Sequence, residues 1–207
     1  MSIANQIIKK ASRFLVNRAA RREESGRLMD LGLWGLDING KGRLSVNGED
    51  AVELVERFGS PLLVVNRKKL LQDVQRALSA FKCAPPGSRI LYSYKTNCIP
   101  GILKELHGAG LGAEVISPYE LWLAGKLGVR GEDIVYNGVD KTPESIEAAL
   151  RMNILSINID SADEVETIHA IADKLRVPAR VGIRLGFSAK SQFGLDVQDG
   201  EAMKVCE

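Results

Sequence analysis

From residue 62 to residue 186 the chain alternates short apolar runs with amphipathic stretches, and no other feature narrows its fold as much. "LLVVN" (62–66), "ILYSYK" (90–95), "GAEVIS" (112–117), "DIVYN" (133–137), "ILSINID" (154–160) and "ARVGIRLG" (179–186) predict six strands. The first intervening helix buries Leu70, Leu71, Val74, Ala77, Leu78 and Phe81, and further helices are predicted near 100–109, 118–127, 143–151 and 162–175. Strands separated by helices of this length form parallel βαβ units.

The helix starts are marked by local chemistry. Ser117-Pro118-Tyr119-Glu120 offers a capping serine, proline at the first helical position and a glutamate placed to close a capping box. Ser161-Ala162-Asp163-Glu164 repeats the box, and Thr142-Pro143 is a cap followed by proline. The first βα turn, "LLVVNRKKLL", has no glycine, which removes the commonest reason to prefer an open dinucleotide-binding sheet. The other arrangement is a (β/α)8 barrel, which needs eight strands, so six units make an incomplete one.

Upstream, "GKGRLSVNGED" predicts a strand entering a turn, and "AVELVERF" (51–58) a short helix stopped by Gly59 with Pro61 beyond. Residues 1–27 hold Lys9, Lys10, Arg13, Arg18, Arg21, Arg22 and Arg27 against Glu23 and Glu24, with Ile3, Ile7, Ile8, Ala11, Phe14 and Leu15 at helical spacing. Such a basic amphipathic helix fits an anionic membrane surface or, favoured on general frequency, docking on the folded body or a partner subunit. The chain is therefore read as a basic helical extension over 1–39, a lead-in of strand and short helix over 40–59, and a β/α region over 60–207.

Bulk composition excludes several classes. Net charge is +2, which leaves no nucleic-acid footprint. Cys83, Cys98 and Cys206 show neither paired zinc spacing nor an even disulfide count, which points to a reducing cytoplasm. No apolar run is long enough to span a bilayer, and no signal peptide is expected at the start.

Lys95 ends the second predicted strand, although lysine is costly to desolvate. Alternation puts Leu91, Ser93 and Lys95 on one face and Ile90, Tyr92 and Tyr94 on the other. The bulky set suits a helix layer, which leaves Lys95 pointing inward at the carboxyl end of its strand, where barrel enzymes place catalytic groups. A shielded lysine there is a nucleophile toward a carbonyl; a strand-end lysine reaching solvent is equally compatible with the spacing.

"YSYKTN" resembles the tyrosine-x-x-lysine-x-asparagine segment of the fold-type III pyridoxal-phosphate decarboxylases, which include diaminopimelate, ornithine and arginine decarboxylases. The match continues in order through "GLGAEVISPYELWLA", "IVYNGVDKT", "INIDSADEVETI", "VGIRLG" and "SQFGLD", the last with Gln192 where lysine is usual. "LVERFGSPLLVV" is similar to the family's approach to its first barrel strand, so coverage runs from about residue 40 to 197.

The resemblance implies pyridoxal 5'-phosphate as cofactor, Lys95 as the lysine that forms the Schiff base, Glu114 as the acidic residue near the cofactor and Arg184 as the arginine near its ring oxygen. It also implies a small amino-acid substrate, a homodimer, and a lead-in strand belonging to the family's β-domain. Polar-strand and ion-pair roles stand beside these for Glu114 and Arg184. Asn97, Asn137 and Lys141 fit the mouth of the site or plain turn chemistry, and His107 and His169 read as surface or packing residues. The family's ring-stacking histidine, glycine-rich phosphate loop and ring-nitrogen carboxylate follow the phenylalanine-glycine element, so the chain is expected to correspond to the amino-terminal half. By itself it is expected to hold cofactor poorly and not to decarboxylate. Diaminopimelate decarboxylase is the nearest activity. The alternatives are an ornithine- or arginine-type enzyme, a related racemase or carrier on the same barrel, or a non-catalytic regulatory partner.

Overall fold

The computed structural model describes residues 30–187, 193–198 and 200–206. The basic amphipathic arm falls on residues 1–29 and lies outside the described residues, as does Gln192. The chain divides into two compact units, Met1–Leu70 and Leu71–Glu207.

In the first unit Asp30 caps a short 3-10 turn, Leu31–Trp34, its carboxylate accepting from the Gly32 amide at 3.0 Å. Where the sequence predicts one strand, the structure has a three-stranded antiparallel sheet: β1 (Leu36–Ile38), β2 (Leu44–Val46) and β3 (Glu49–Asp50). The β2–β3 connection is Asn47-Gly48 with φ of 50° and 90°, the left-handed pair that lets a two-residue hairpin follow the strand twist. Asp50 then caps α1 (Ala51–Phe58), accepting from the amides of Val52 at 2.8 Å and Glu53 at 3.3 Å. The helix stops at Gly59, as predicted.

The predicted strand at 62–66 is a correction. Among the described residues it has no ladder partner, and Leu63, Val64 and Val65 are exposed. A strand is held by cross-strand hydrogen bonds, so an apolar run is only a candidate until a neighbour supplies them. The helix that follows, α2 (Arg67–Ala80), forms where the apolar spacing placed it.

The second unit is built on β4 (Leu91–Ser93), β5 (Gly112–Val115), β6 (Ile134–Tyr136), β7 (Ser156–Ile159) and β8 (Val181–Ile183). All neighbours are parallel and stand in chain order, joined by α3 (Pro100–Gly108), α4 (Pro118–Lys126), α5 (Pro143–Arg151) and α6 (Ala162–Leu175). An order that never reverses is that of a barrel; a doubly wound sheet changes direction at a switch point. Five strands are paired here, one fewer than predicted, because 62–66 stays out.

The sixth predicted run also splits. β8 leaves the sheet at Arg184, whose amide still donates to the Ile159 carbonyl at 3.0 Å while its carbonyl accepts from Leu195 at 2.8 Å. Beyond it β9 (Leu185–Gly186) pairs in parallel with β10 (Leu195–Asp196), and α7 (Glu201–Cys206) follows.

One face of the five-stranded sheet carries the core. Ala113, Val115, Ile134, Tyr136, Ile157 and Ile159 are buried there together with Leu103, Leu106, Leu121, Ile146 and Ile168 from the helices. Each large apolar side chain so enclosed contributes about 1.5–3 kcal/mol.

Two of the three predicted caps form. The Ser117 and Thr142 hydroxyls accept from the amides of Glu120 and Ser145, each at 3.2 Å. Ser161 makes no side-chain cap. Glu164 instead accepts from the Asp160 amide at 3.0 Å, just as Glu120 accepts from the Ile116 amide at 2.7 Å. In both βα repeats the glutamate reaches the amide four residues earlier, one step outside the box, and fastens the strand end to the following helix. No helix among the described residues is long and apolar enough to cross a membrane.

Candidate active site

Strand alternation separates two chemistries. The residues between the core positions, Ser93, Glu114, Asn137, Ser156, Asn158 and Asp160, are polar, half-buried and on the opposite side. Side-chain hydrogen bonds join them across the strands. Ser156 Oγ donates to Asn158 Oδ1 at 2.9 Å, Asn158 Nδ2 donates to Asn137 Oδ1 at 3.3 Å, and Asn137 Nδ2 donates to Glu114 Oε1 at 3.2 Å. The amide dipoles thus run one way, toward the Glu114 carboxylate. Gly182, opposite Asn158 in register, leaves room for this chain: a Cβ there would collide with Asn158 Oδ1 and lie 3.1 Å from Ser156 Oγ.

Arg184 closes the row. Its Nη1 donates to Asp160 Oδ1 at 3.0 Å, and its guanidinium sits 4.6 Å from the centre of the Phe193 ring. Glu114 and Arg184, both named from sequence, therefore lie on the same polar row. Asn158 and Asp160 were missed, yet they share the parity of Glu114 and Asn137, alternating with buried isoleucines in "SINID".

Lys95 stands at the other end. The strand ladder continues to the Tyr94 amide, which donates to the Glu114 carbonyl at 3.0 Å, and Thr96 closes a turn onto the Ser93 carbonyl at 3.1 Å. Lys95 is exposed on this turn rather than shielded within a strand, which corrects the expectation of a desolvated amine. The strand ends at Ser93, so alternation no longer sets the direction of Lys95; the turn does. Tyr94, fully buried, takes the helix side. The Ser93 hydroxyl, opposite Glu114 in register, is buried without a partner, at a cost of about 1–3 kcal/mol.

Lys141 is not at the mouth. Its side chain is fully buried; Nζ donates to both Glu164 oxygens at 2.9 Å and to the Gly138 carbonyl, and lies over the Tyr136 ring at 5.7 Å. It is an internal brace for the loop that follows Asn137. His107 is half-buried and hydrogen-bonded, and His169 is exposed.

Burial raises the phenol pKa of Tyr94 and Tyr136 above the ordinary value of 10, with the Glu120 charge adding to the effect at Tyr94. A folded-state pKa above the unfolded one means that unfolded tyrosines lose protons first as pH rises. Stability is therefore undiminished below about pH 10 and falls above it. Urea midpoints measured on the alkaline side should decline, and Tyr136→Phe should flatten that decline. An unchanged slope in the variant would contradict the assignment.

A parallel β/α sheet with an exposed amine at one strand end, and a carboxylate, amides and an arginine along its polar face, defines a ligand-binding domain of the β/α-barrel class. The comparisons give the family. Residues 71–204 match "Pyridoxal-dependent decarboxylase, pyridoxal binding domain". The diaminopimelate decarboxylase of Methanocaldococcus jannaschii is 34% identical over 195 residues, 86% of this chain and 44% of that protein. The Aquifex aeolicus enzyme of the same name is 33% identical over 77% of this chain and 40% of its own length. A crystal structure of the M. jannaschii enzyme in complex with L-lysine superposes with a TM-score of 0.77 at 34% identity, covering 83% of this chain and 43% of that one. The chain belongs to the pyridoxal-dependent decarboxylases and carries their pyridoxal binding domain as an incomplete (β/α)8 barrel. It spans less than half the length of these relatives.

The donor set fits pyridoxal phosphate. An exposed primary amine suits an aldehyde, and a guanidinium and carboxamides suit the polar edge of a phosphorylated pyridine.

Proposed function

We propose that this chain supplies Lys95, the lysine that holds pyridoxal phosphate, to the decarboxylation of an amino acid, diaminopimelate being the substrate its relatives' names favour, and that by itself it holds the cofactor weakly and does not turn over. The observation that carries the reading is the exposed Lys95 on the turn that closes β4, next in register to the strand whose Glu114 heads the polar row.

When bound, the cofactor supplies an electron sink for the bond that breaks as carbon dioxide leaves. The chain's own residues bind and orient. The Lys95 amine would hold the cofactor through its aldehyde. Glu114, its carboxylate fixed by Asn137, would supply a negative charge on the polar row. Arg184, whose charge is partly neutralised by Asp160, would offer its other N–H groups to an anionic oxygen. A dimer of such chains in the cytoplasm is part of the same proposal.

The test is to add excess pyridoxal phosphate, reduce with borohydride and map the labelled lysine by mass spectrometry. Label on Lys95 supports the reading, and label elsewhere with none on Lys95 overturns it. Release of carbon dioxide from diaminopimelate, ornithine and arginine is measured in parallel, for the chain alone, which should be inactive, and for the chain complemented with the carboxy-terminal half of a relative. Preference for ornithine or arginine would replace the substrate while leaving the lysine assignment standing.

A further inference from the structure

The buried hydroxyl beside Lys95 is held from outside the polar row. Tyr94 is fully buried, and its hydroxyl lies 2.7 Å from Nε2 of His107 on α3. The other ring nitrogen, Nδ1, lies 2.9 Å from the Leu111 carbonyl oxygen. A carbonyl can only accept, so Nδ1 carries the proton, and Nε2 of the neutral ring accepts from the tyrosine hydroxyl. The two rings are tilted at 39° with centres 5.7 Å apart.

This linkage fixes Tyr94 at both ends. Its amide is bound to the Glu114 carbonyl, and its side chain is tied through His107 to Leu111, the residue just before β5. Turning the ring away would strand a hydroxyl in the core at a cost of about 1–3 kcal/mol. Lys95 is the next residue and stands on a turn whose amino-terminal side is anchored by Ser93, in the ladder, and by Tyr94, which alone of the two is buried against the helix layer.

We propose that His107 is a positioning residue for Lys95: by gripping the Tyr94 hydroxyl it fixes the turn that presents the amine beside the polar row. His107 touches neither cofactor nor substrate in this role. The inference rests on the reading of Lys95 as the cofactor lysine, and its test separates the two.

The readout is the ratio of label on Lys95 to label on exposed Lys126 in the same molecule, after brief exposure to excess pyridoxal phosphate and borohydride. The amine and aldehyde condense with loss of water, and borohydride delivers the hydride that reduces the C=N bond. Tyr94→Phe and His107→Leu should each lower the ratio roughly three- to tenfold, the range set by one hydrogen bond. The double variant should lower it no further, because both changes cut one link. With both partners apolar, the double variant should also regain much of the thermal stability lost by His107→Leu while keeping the low ratio, which a purely structural role would not produce. An unchanged ratio in Tyr94→Phe, a nearly isosteric change, overturns the positioning role even if Lys95 labels well. Absence of label on Lys95 in the unmodified chain overturns the reading beneath it.

Discussion

Glu164→Leu is expected to destabilise the second unit by about 3–5 kcal/mol, because it leaves the fully buried Lys141 ammonium without its counter-charge. The carboxylate also receives the Asp160 amide, so the variant loosens the residue that holds Arg184. Urea unfolding measures the loss. The double variant Lys141→Met/Glu164→Leu should recover a large part of it, since an apolar pair of similar volume has no charge to desolvate. A single-variant loss below about 1 kcal/mol would show that water reaches Lys141 and that the brace is weak.

Lys95→Ala has the largest expected effect on chemistry. The pyridoxyl label at this position is lost by definition, so the informative reading is turnover once the chain is complemented with the carboxy-terminal half of a relative and loaded with cofactor. A fall of roughly 10²–10⁴-fold is ordinary for removing a group that carries protons at a reacting centre. Lys95 is exposed on a turn, so its truncation should leave the urea midpoint nearly unchanged. Partial restoration by a small primary amine in solution would tie the loss to the missing ε-amino group. Turnover unaffected by the substitution would remove Lys95 from the mechanism.

The parts of the fold legible in sequence were those governed by local rules. α5 and α6 begin and end where proline, caps and apolar spacing placed them, at 143–151 and 162–175. A turn after the strand at 44–46 was likewise legible from its asparagine and glycine, whereas the hairpin partner it leads to was not. The 62–66 run failed because ladder partners are not a local property. The same limit explains the site. Lys95, Glu114 and Arg184 were named by resemblance to a family pattern, which does not show what holds them. Asn137 meets Glu114 across 23 residues and Asp160 meets Arg184 across 24, pairings that only strand register creates. Lys141 was taken for a turn or mouth residue because its partner, Glu164, already had a local explanation as half of a capping box. The His107–Tyr94 contact was hidden for a related reason: a helix periodicity shows which positions face a sheet, not which hydroxyl waits there.

The two faces of the five-stranded sheet differ in mutational tolerance. On the helix side, Val115, Ile134, Tyr136 and Ile157 are enclosed, and altering them costs folding. On the other side, Glu114, Asn137 and Asn158 hydrogen-bond to one another outside the core, so altering them should cost ligand binding more than folding. A strand pattern of this kind can therefore change what its polar face binds in small steps, each intermediate still folded.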